Sequence, residues 1–167
     1  KAAQKINKEI VKYVDVLFGN EEDFTACLGF EVEGVSENLE KLPTQGFKKM
    51  ISRVTKDYPN LKVIGTTLRK VIDANTNGWG AIAWSKKDGF SESFPFPKLK
   101  IYDRVGGGDG FASGFIYGLL ENMDFDTALK FGIAHGALAM TTPGDTSMVS
   151  VDEVKKLVLN PSARVAR

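Results

Sequence analysis

Three consecutive glycines, Gly106, Gly107 and Gly108, stand directly before Asp109, and from Phe111 onward apolar residues recur at three- and four-residue steps. The glycines offer backbone N–H groups with no side chain in the way, where a helix would begin and its macrodipole is positive. Such a turn binds anions. Asp109 then has two readings: the N-cap of an ordinary glycine-rich loop, or a base serving a hydroxyl that attacks a bound phosphoryl group. Two familiar phosphate loops are excluded. Counting from Gly106, the sixth position of a dinucleotide fingerprint is Phe111, counting from Gly108 it is Ser113, and no Gly-Lys-Ser/Thr triplet occurs. A carboxylate beside an anion hole opposes simple phosphate binding. A base that mainly orients the attacking hydroxyl resolves the conflict, because in a loose transition state the proton leaves late while the amides stabilise charge on the transferring group.

The 167 residues, 43% hydrophobic, are enough to bury a core, and residues 1–167 are expected to form a single domain. With 22 Lys plus Arg against 21 Asp plus Glu the net charge is +1, and no basic block stands out. Nucleic acid is therefore not an expected partner. No apolar stretch approaches the roughly 20 residues that cross a bilayer, so no membrane is expected either. The single Cys27 cannot staple the fold and has no activating neighbour in sequence. A reducing, cytoplasmic setting fits. The sequence opens on Lys1 with an amphipathic pattern rather than a signal peptide.

Positioning elements follow from periodicity. Residues 2 to 14 read as an amphipathic helix, and Val14, Val16, Leu17 and Phe18 as a short strand ending at Gly19-Asn20, where Glu21-Glu22-Asp23 starts a helix. Residues 46 to 58 read as a helix with Phe47, Met50, Ile51 and Val54 on one face, and Leu61 to Thr67 as a buried strand. Trp79 to Trp84 and Gly89 to Phe96 suggest a hairpin across Lys86-Lys87-Asp88-Gly89. A long helix follows the glycine turn and stops near Asn122; a second, residues 126 to 140, carries Ala or Gly at 132, 134, 136, 137 and 139, permitting close packing. Ser150 and Glu153 resemble a capping box opening a last helix. The expected class is a layered, doubly wound α/β sheet with helices on both faces and the hairpin as an antiparallel addition. Ligands then belong at the strands' C-terminal ends.

The stretch Asp103-Arg104-Val105-Gly106-Gly107-Gly108-Asp109-Gly110-Phe111 resembles the D-T-V-G-A-G-D-A-F signature of the ribokinase-like sugar kinases of the phosphofructokinase-B type. The resemblance implies a ribokinase-like fold, ATP and Mg²⁺ as cofactors with a monovalent cation possible, Gly106, Gly107 and Gly108 as anion hole, and Asp109 as catalytic base. Arg104 replaces the usual Thr, and Gly107 and Gly110 replace Ala. Asn20-Glu21-Glu22-Asp23 is similar to the family's N-x-x-E motif, which organises Mg²⁺ and phosphate through water. Asp23 would take that part, with Glu22 as substitute; the bland reading is a helix cap with solvated acids. No direct protein ligand to the metal is implied.

Val63-Ile64-Gly65-Thr66-Thr67-Leu68-Arg69, followed by Asn77-Gly78-Trp79-Gly80-Ala81, resembles a segment of the 2-keto-3-deoxygluconate kinase branch that lies along the nucleotide. That resemblance places Thr67, Arg69, Gly78 and Gly80 near ATP, with Ile133, His135 and Gly136 flanking adenine. His135 reads alternatively as a pocket wall or packed helix residue. Pro143-Gly144-Asp145 resembles the same branch, and Asp145 would reach the sugar acid or the neighbouring active-site water. The implied reaction is ATP-dependent phosphorylation of 2-keto-3-deoxygluconate to its 6-phosphate. Another family sugar kinase, of fructokinase or ribokinase type, is the near alternative, and a noncatalytic nucleotide-binding module the distant one. The family's sugar-binding part and β lid have no counterpart here. The chain is thus expected to be the C-terminal, nucleotide-binding portion, partnered by the missing N-terminal half, inactive alone, and capable of forming a homo-oligomer.

Overall fold

Asn60 shows how local chemistry sets an element's end. Its side-chain amide donates to the carbonyls of Val11 and Val14 at 2.9 and 2.7 Å, at the end of the first helical segment, where the Val11 carbonyl also accepts from the Val14 amide at 3.2 Å. Helix α1 (Ala2–Ile10) accordingly tightens into one 3₁₀ turn, Val11–Tyr13, instead of running to residue 14. The computed structural model describes residues 2–33, 44–144 and 146–161. Two compact units are present, Lys1–Leu68 with Ile82–Ser91, and Arg69–Ala81 with Glu92–Arg167.

Four strands, β1 (Val16–Gly19), β2 (Val63–Asp73), β3 (Thr76–Ser85) and β4 (Gly89–Lys100), lie in the order β1-β2-β3-β4. β1 and β2 run parallel, Val16 opposite Val63 and Gly19 opposite Thr66. Links of two and three residues turn β2 into β3 and β3 into β4, so both connections are hairpins. The expected strand over 61 to 67 starts at Val63 and extends to Asp73. Its outer residues Val71 and Ile72 are exposed, so pairing rather than burial carries the extension, and no buried run announces it.

In the first unit, α2 (Glu21–Asp23) passes into a π turn, Phe24–Leu28, that closes at Gly29 with φ of 78°. Helix α3 (Thr44–Asp57) buries Phe47, Met50, Ile51 and Val54, the expected stripe. Ile64, Leu68 and Ile82 complete this core. At the β3–β4 turn, Ser85 Oγ accepts from the Asp88 amide at 2.7 Å and donates to its carboxylate at 2.9 Å.

In the second unit, α4 (Gly107–Leu120) and α5 (Phe125–Met140) form a helical hairpin turned by Asn122, whose φ is 55°. Asp124 caps α5 by accepting from the Thr127 amide at 2.9 Å, and this bonding holds its carboxyl below the ordinary range. The two helices meet backbone to backbone. A Cβ on Gly114 would lie 2.7 Å from the Phe131 carbonyl oxygen, and one on Gly118 2.7 Å from the Ala128 Cα. Phe111, Phe115, Leu129 and Ile133 fill the interior, each worth on the order of 2 kcal/mol when fully buried. Helix α6 (Val151–Leu159) opens on the expected capping box, with Glu153 accepting from the Ser150 amide at 2.8 Å. Among the described residues, no helix is long and apolar enough to cross a membrane.

Candidate active site

Gly106, with φ of 83°, is the N-cap of α4, and Gly107, Gly108 and Asp109 are its first three helical positions. The left-handed φ demands glycine at 106. Asp109 is therefore not the cap, and no side chain caps this helix. Its carboxylate is exposed and has no hydrogen bond or ion pair among the described residues.

The amides beside it are open. Gly110 N–H donates to the Gly106 carbonyl at 2.7 Å and Gly107 N–H reaches the Arg104 carbonyl at 3.5 Å, whereas the amides of Gly108 and Asp109 have no acceptor among the described residues. A Cβ built on Gly108 meets nothing within 4 Å. Two free donors thus meet solvent at the positive end of a 14-residue helix, next to an unpaired carboxylate. That arrangement can hold an anion and a hydroxyl side by side.

The turn is held from behind. Asp103 Oδ1 accepts from the Val105 amide at 3.0 Å, and the amides of Tyr102 and Asp103 donate to the Met140 carbonyl at 2.9 and 3.3 Å. Gly136 on α5 faces the turn; a Cβ there would lie 2.7 Å from the Gly107 carbonyl oxygen and 2.8 Å from Trp79 Cζ2. Trp79 is buried and its indole N–H donates to the Ile133 carbonyl at 3.0 Å, so strand β3 grips the same helix.

Of the residues expected along the nucleotide, Gly136 adjoins the turn directly, and Ile133 is wholly buried. Gly78 and Gly80 are buried in β3 beneath the Phe94 ring, which a Cβ on either would strike; this packing alone accounts for two glycines. Arg69 is exposed on β2, and Thr67, half-buried on the same strand, lies in the first unit. Asp145 lies outside the described residues.

Also in the first unit, Asn20 and Asp23 form a complete capping box: Asn20 Oδ1 accepts from the Asp23 amide at 3.1 Å and Asp23 Oδ2 accepts from the Asn20 amide at 2.8 Å. Asp23 also borders an apolar cavity of about 340 Å³ lined by Ile10, Val14, Leu17, Phe18 and Phe24. Glu22 is exposed. No group of three or more His, Cys, Asp or Glu side chains converges among the described residues. Cys27 is a half-buried free thiol.

His135 uses both ring nitrogens internally, Nδ1 at 3.0 Å from Ser113 Oγ and Nε2 at 2.9 Å from Ser147 Oγ. Burial pushes its pKa below the ordinary value, and proximity of the Gly110 backbone offsets part of that. Neither serine stood out in the sequence, because both lie far from His135 along the chain and nothing in their spacing announces the contact.

Residues 74–152 match the family model for the pfkB family carbohydrate kinases. A 5-dehydro-2-deoxygluconokinase of Clostridium tetani is 40% identical over 65 residues, covering 38% of this chain and 19% of that protein. The crystal structure of a 2-dehydro-3-deoxygluconokinase from Thermotoga maritima superposes with a TM-score of 0.81 and 36% identity, covering 95% of this chain and 45% of that one. A ribokinase of Arabidopsis thaliana, 20% identical with a TM-score of 0.66, shares the fold. The chain thus spans less than half the length of the sugar kinases it resembles. With the family's sequence pattern over residues 74–152 and a kinase fold matched over 95% of its length, what the chain carries is the ribokinase-like architecture of the PfkB carbohydrate kinases.

Proposed function

We propose that this chain supplies the phosphoryl-transfer half of an ATP-dependent sugar-acid kinase, acting on the terminal hydroxyl of 2-keto-3-deoxygluconate. The observation that carries the reading is the Asp109 carboxylate, unpaired among the described residues, beside the amides of Gly108 and Asp109 at the start of α4, which have no acceptor among them either. The deoxygluconate class is supported by the 36% identity to the Thermotoga maritima enzyme.

In this reading Asp109 accepts a hydrogen bond from the acceptor hydroxyl, orients its oxygen toward the γ-phosphorus, and takes the proton late in the transfer. The N–H groups of Gly108 and Asp109, fixed before reaction by the Gly106 cap and the Gly110 bond, donate to the oxygens of the transferring group. The open donors and the lack of any side chain over Gly108 fit a nucleotide phosphate. Mg²⁺, when bound with ATP, neutralises phosphate charge; Asn20, Glu22 and Asp23 are the residues proposed to order its water shell. The sugar-binding part is proposed to come from sequence beyond this chain.

The test is turnover in the full-length protein against a panel of keto-deoxy sugar acids, with Asp109→Asn beside wild type. Loss of turnover with nucleotide binding retained is expected; undiminished turnover in Asp109→Asn excludes the assignment. A second acceptor, 5-keto-2-deoxygluconate, is favoured by the identity to the Clostridium tetani kinase, and the same panel separates the two.

A further inference from the structure

His135 sits at the centre of a hydrogen-bond chain whose direction can be worked out. Ser113 Oγ lies 3.1 Å from the Gly110 carbonyl, to which only its hydroxyl proton can be donated. Having one proton, the hydroxyl must then accept from the imidazole, which fixes the proton on Nδ1. Nε2 is left bare and accepts from the Ser147 hydroxyl at 2.9 Å. The chain runs from Ser147, between α5 and α6, through His135 on α5 and Ser113 on α4, to the carbonyl of the residue following Asp109. It lies along a space of about 160 Å³ whose other walls include Tyr117, Phe131, Val149 and Val154.

Gly110 is where this chain meets the turn. Its N–H holds the Gly106 carbonyl at 2.7 Å, and a Cβ there would lie 3.2 Å from the Gly136 Cα. One residue therefore donates the bond that closes the anion turn, through its N–H, and accepts the bond that ends the serine–histidine chain, at its carbonyl. We propose that neutral, Nδ1-protonated His135 is a positioning residue, locking the segment that carries Ser147 to the first turn of α4 and thereby fixing the orientation of Asp109. The inference rests on the reading of that turn as a phosphoryl-transfer site. His135 touches neither substrate nor nucleotide in this role; it acts through Gly110.

Ser147→Ala removes the donor to Nε2, and Ser147→Thr keeps it. Ser147 is half-buried in an irregular segment, so both variants are expected to fold. In the full-length protein Ser147→Ala is expected to lower kcat about tenfold, the scale of a small misplacement of a reacting group, with KM for ATP unchanged and with Ser147→Thr restoring the rate. Ring ¹⁵N NMR is expected to show the Nδ1–H tautomer in wild type and in Ser147→Ala, with the Nε2 resonance alone moving as its hydrogen-bond donor is lost. An Nε2–H tautomer in wild type, or an unchanged kcat in Ser147→Ala, overturns the proposal. A wild-type protein with the Nδ1–H tautomer that phosphorylates no sugar acid defeats the kinase reading while leaving the tether supported.

Discussion

Two helix starts in this molecule look alike in sequence and differ in chemistry. At Asn20–Asp23 a polar residue leads three acids, and at Gly106–Asp109 glycines lead one. The first closes on itself, since each side chain satisfies the other's backbone amide. The second leaves two amides and a carboxylate without partners among the described residues. A helix start with its own cap has spent its donors on stability, whereas one capped by glycine keeps them for a ligand. Acidic residues near a helix N-terminus are thus not by themselves the sign of an anion site; donors left open beside an acid are what the proposed site at Gly106–Asp109 rests on.

The contrast can be broken in order of effect. Asp109→Asn is expected to lower kcat by about 10³-fold, within the span of a lost general base, with the melting temperature unchanged; steady-state kinetics and calorimetry read the two quantities. Gly106→Ala forces a side chain into the left-handed region and is expected to cost about 1–2 kcal/mol of stability, while Gly108→Ala stays within about 0.5 kcal/mol because its Cβ meets open space. Urea titration of both measures the difference. Asn20→Ala is expected to cost about 1 kcal/mol through the lost cap and to lower kcat as well, because Asn20 is proposed to order the Mg²⁺ water shell. An unchanged kcat with the cap lost would confine Asn20 to stability and remove it from that shell.

The smallest effect is in pH. His135 has a folded-state pKa below its ordinary 6.5, so as pH falls through 6.5 the unfolded chain takes up the proton first and stability declines. The decline ends once the native imidazole is itself protonated, and above 6.5 the residue contributes no slope. His135→Asn should flatten stability against pH below 6.5; an identical slope in the variant assigns the acid sensitivity elsewhere.

Local signals in the sequence translated well. The Ser150–Glu153 box, the stripe of α3, the hairpin at Lys86–Gly89 and the small residues of α5 all express rules acting within a few residues. What could not be read depended on partners distant along the chain. Gly78 and Gly80 suggest a ligand until Phe94 is seen across them. β2 outruns its apolar run because β3 pairs with it. For the site, Gly106 to Asp109 was legible as an anion-binding turn, but whether Asp109 capped the helix required the backbone geometry. The serine–histidine chain joins residues 22 and 12 positions apart, a separation at which no periodic pattern exists.

The glycine seam between α4 and α5 also has a folding consequence. Its contacts grow less local away from the Asn122 turn: Gly118 meets Ala128, Gly114 meets Phe131, and Gly107 meets Met140. Loop-closure entropy favours the nearest pair first, so the hairpin should close like a zipper whose last teeth are the anion turn. Hydrogen exchange would then show protection fading from Gly118 toward Gly107, placing the glycine turn at the fraying end of the helix pair.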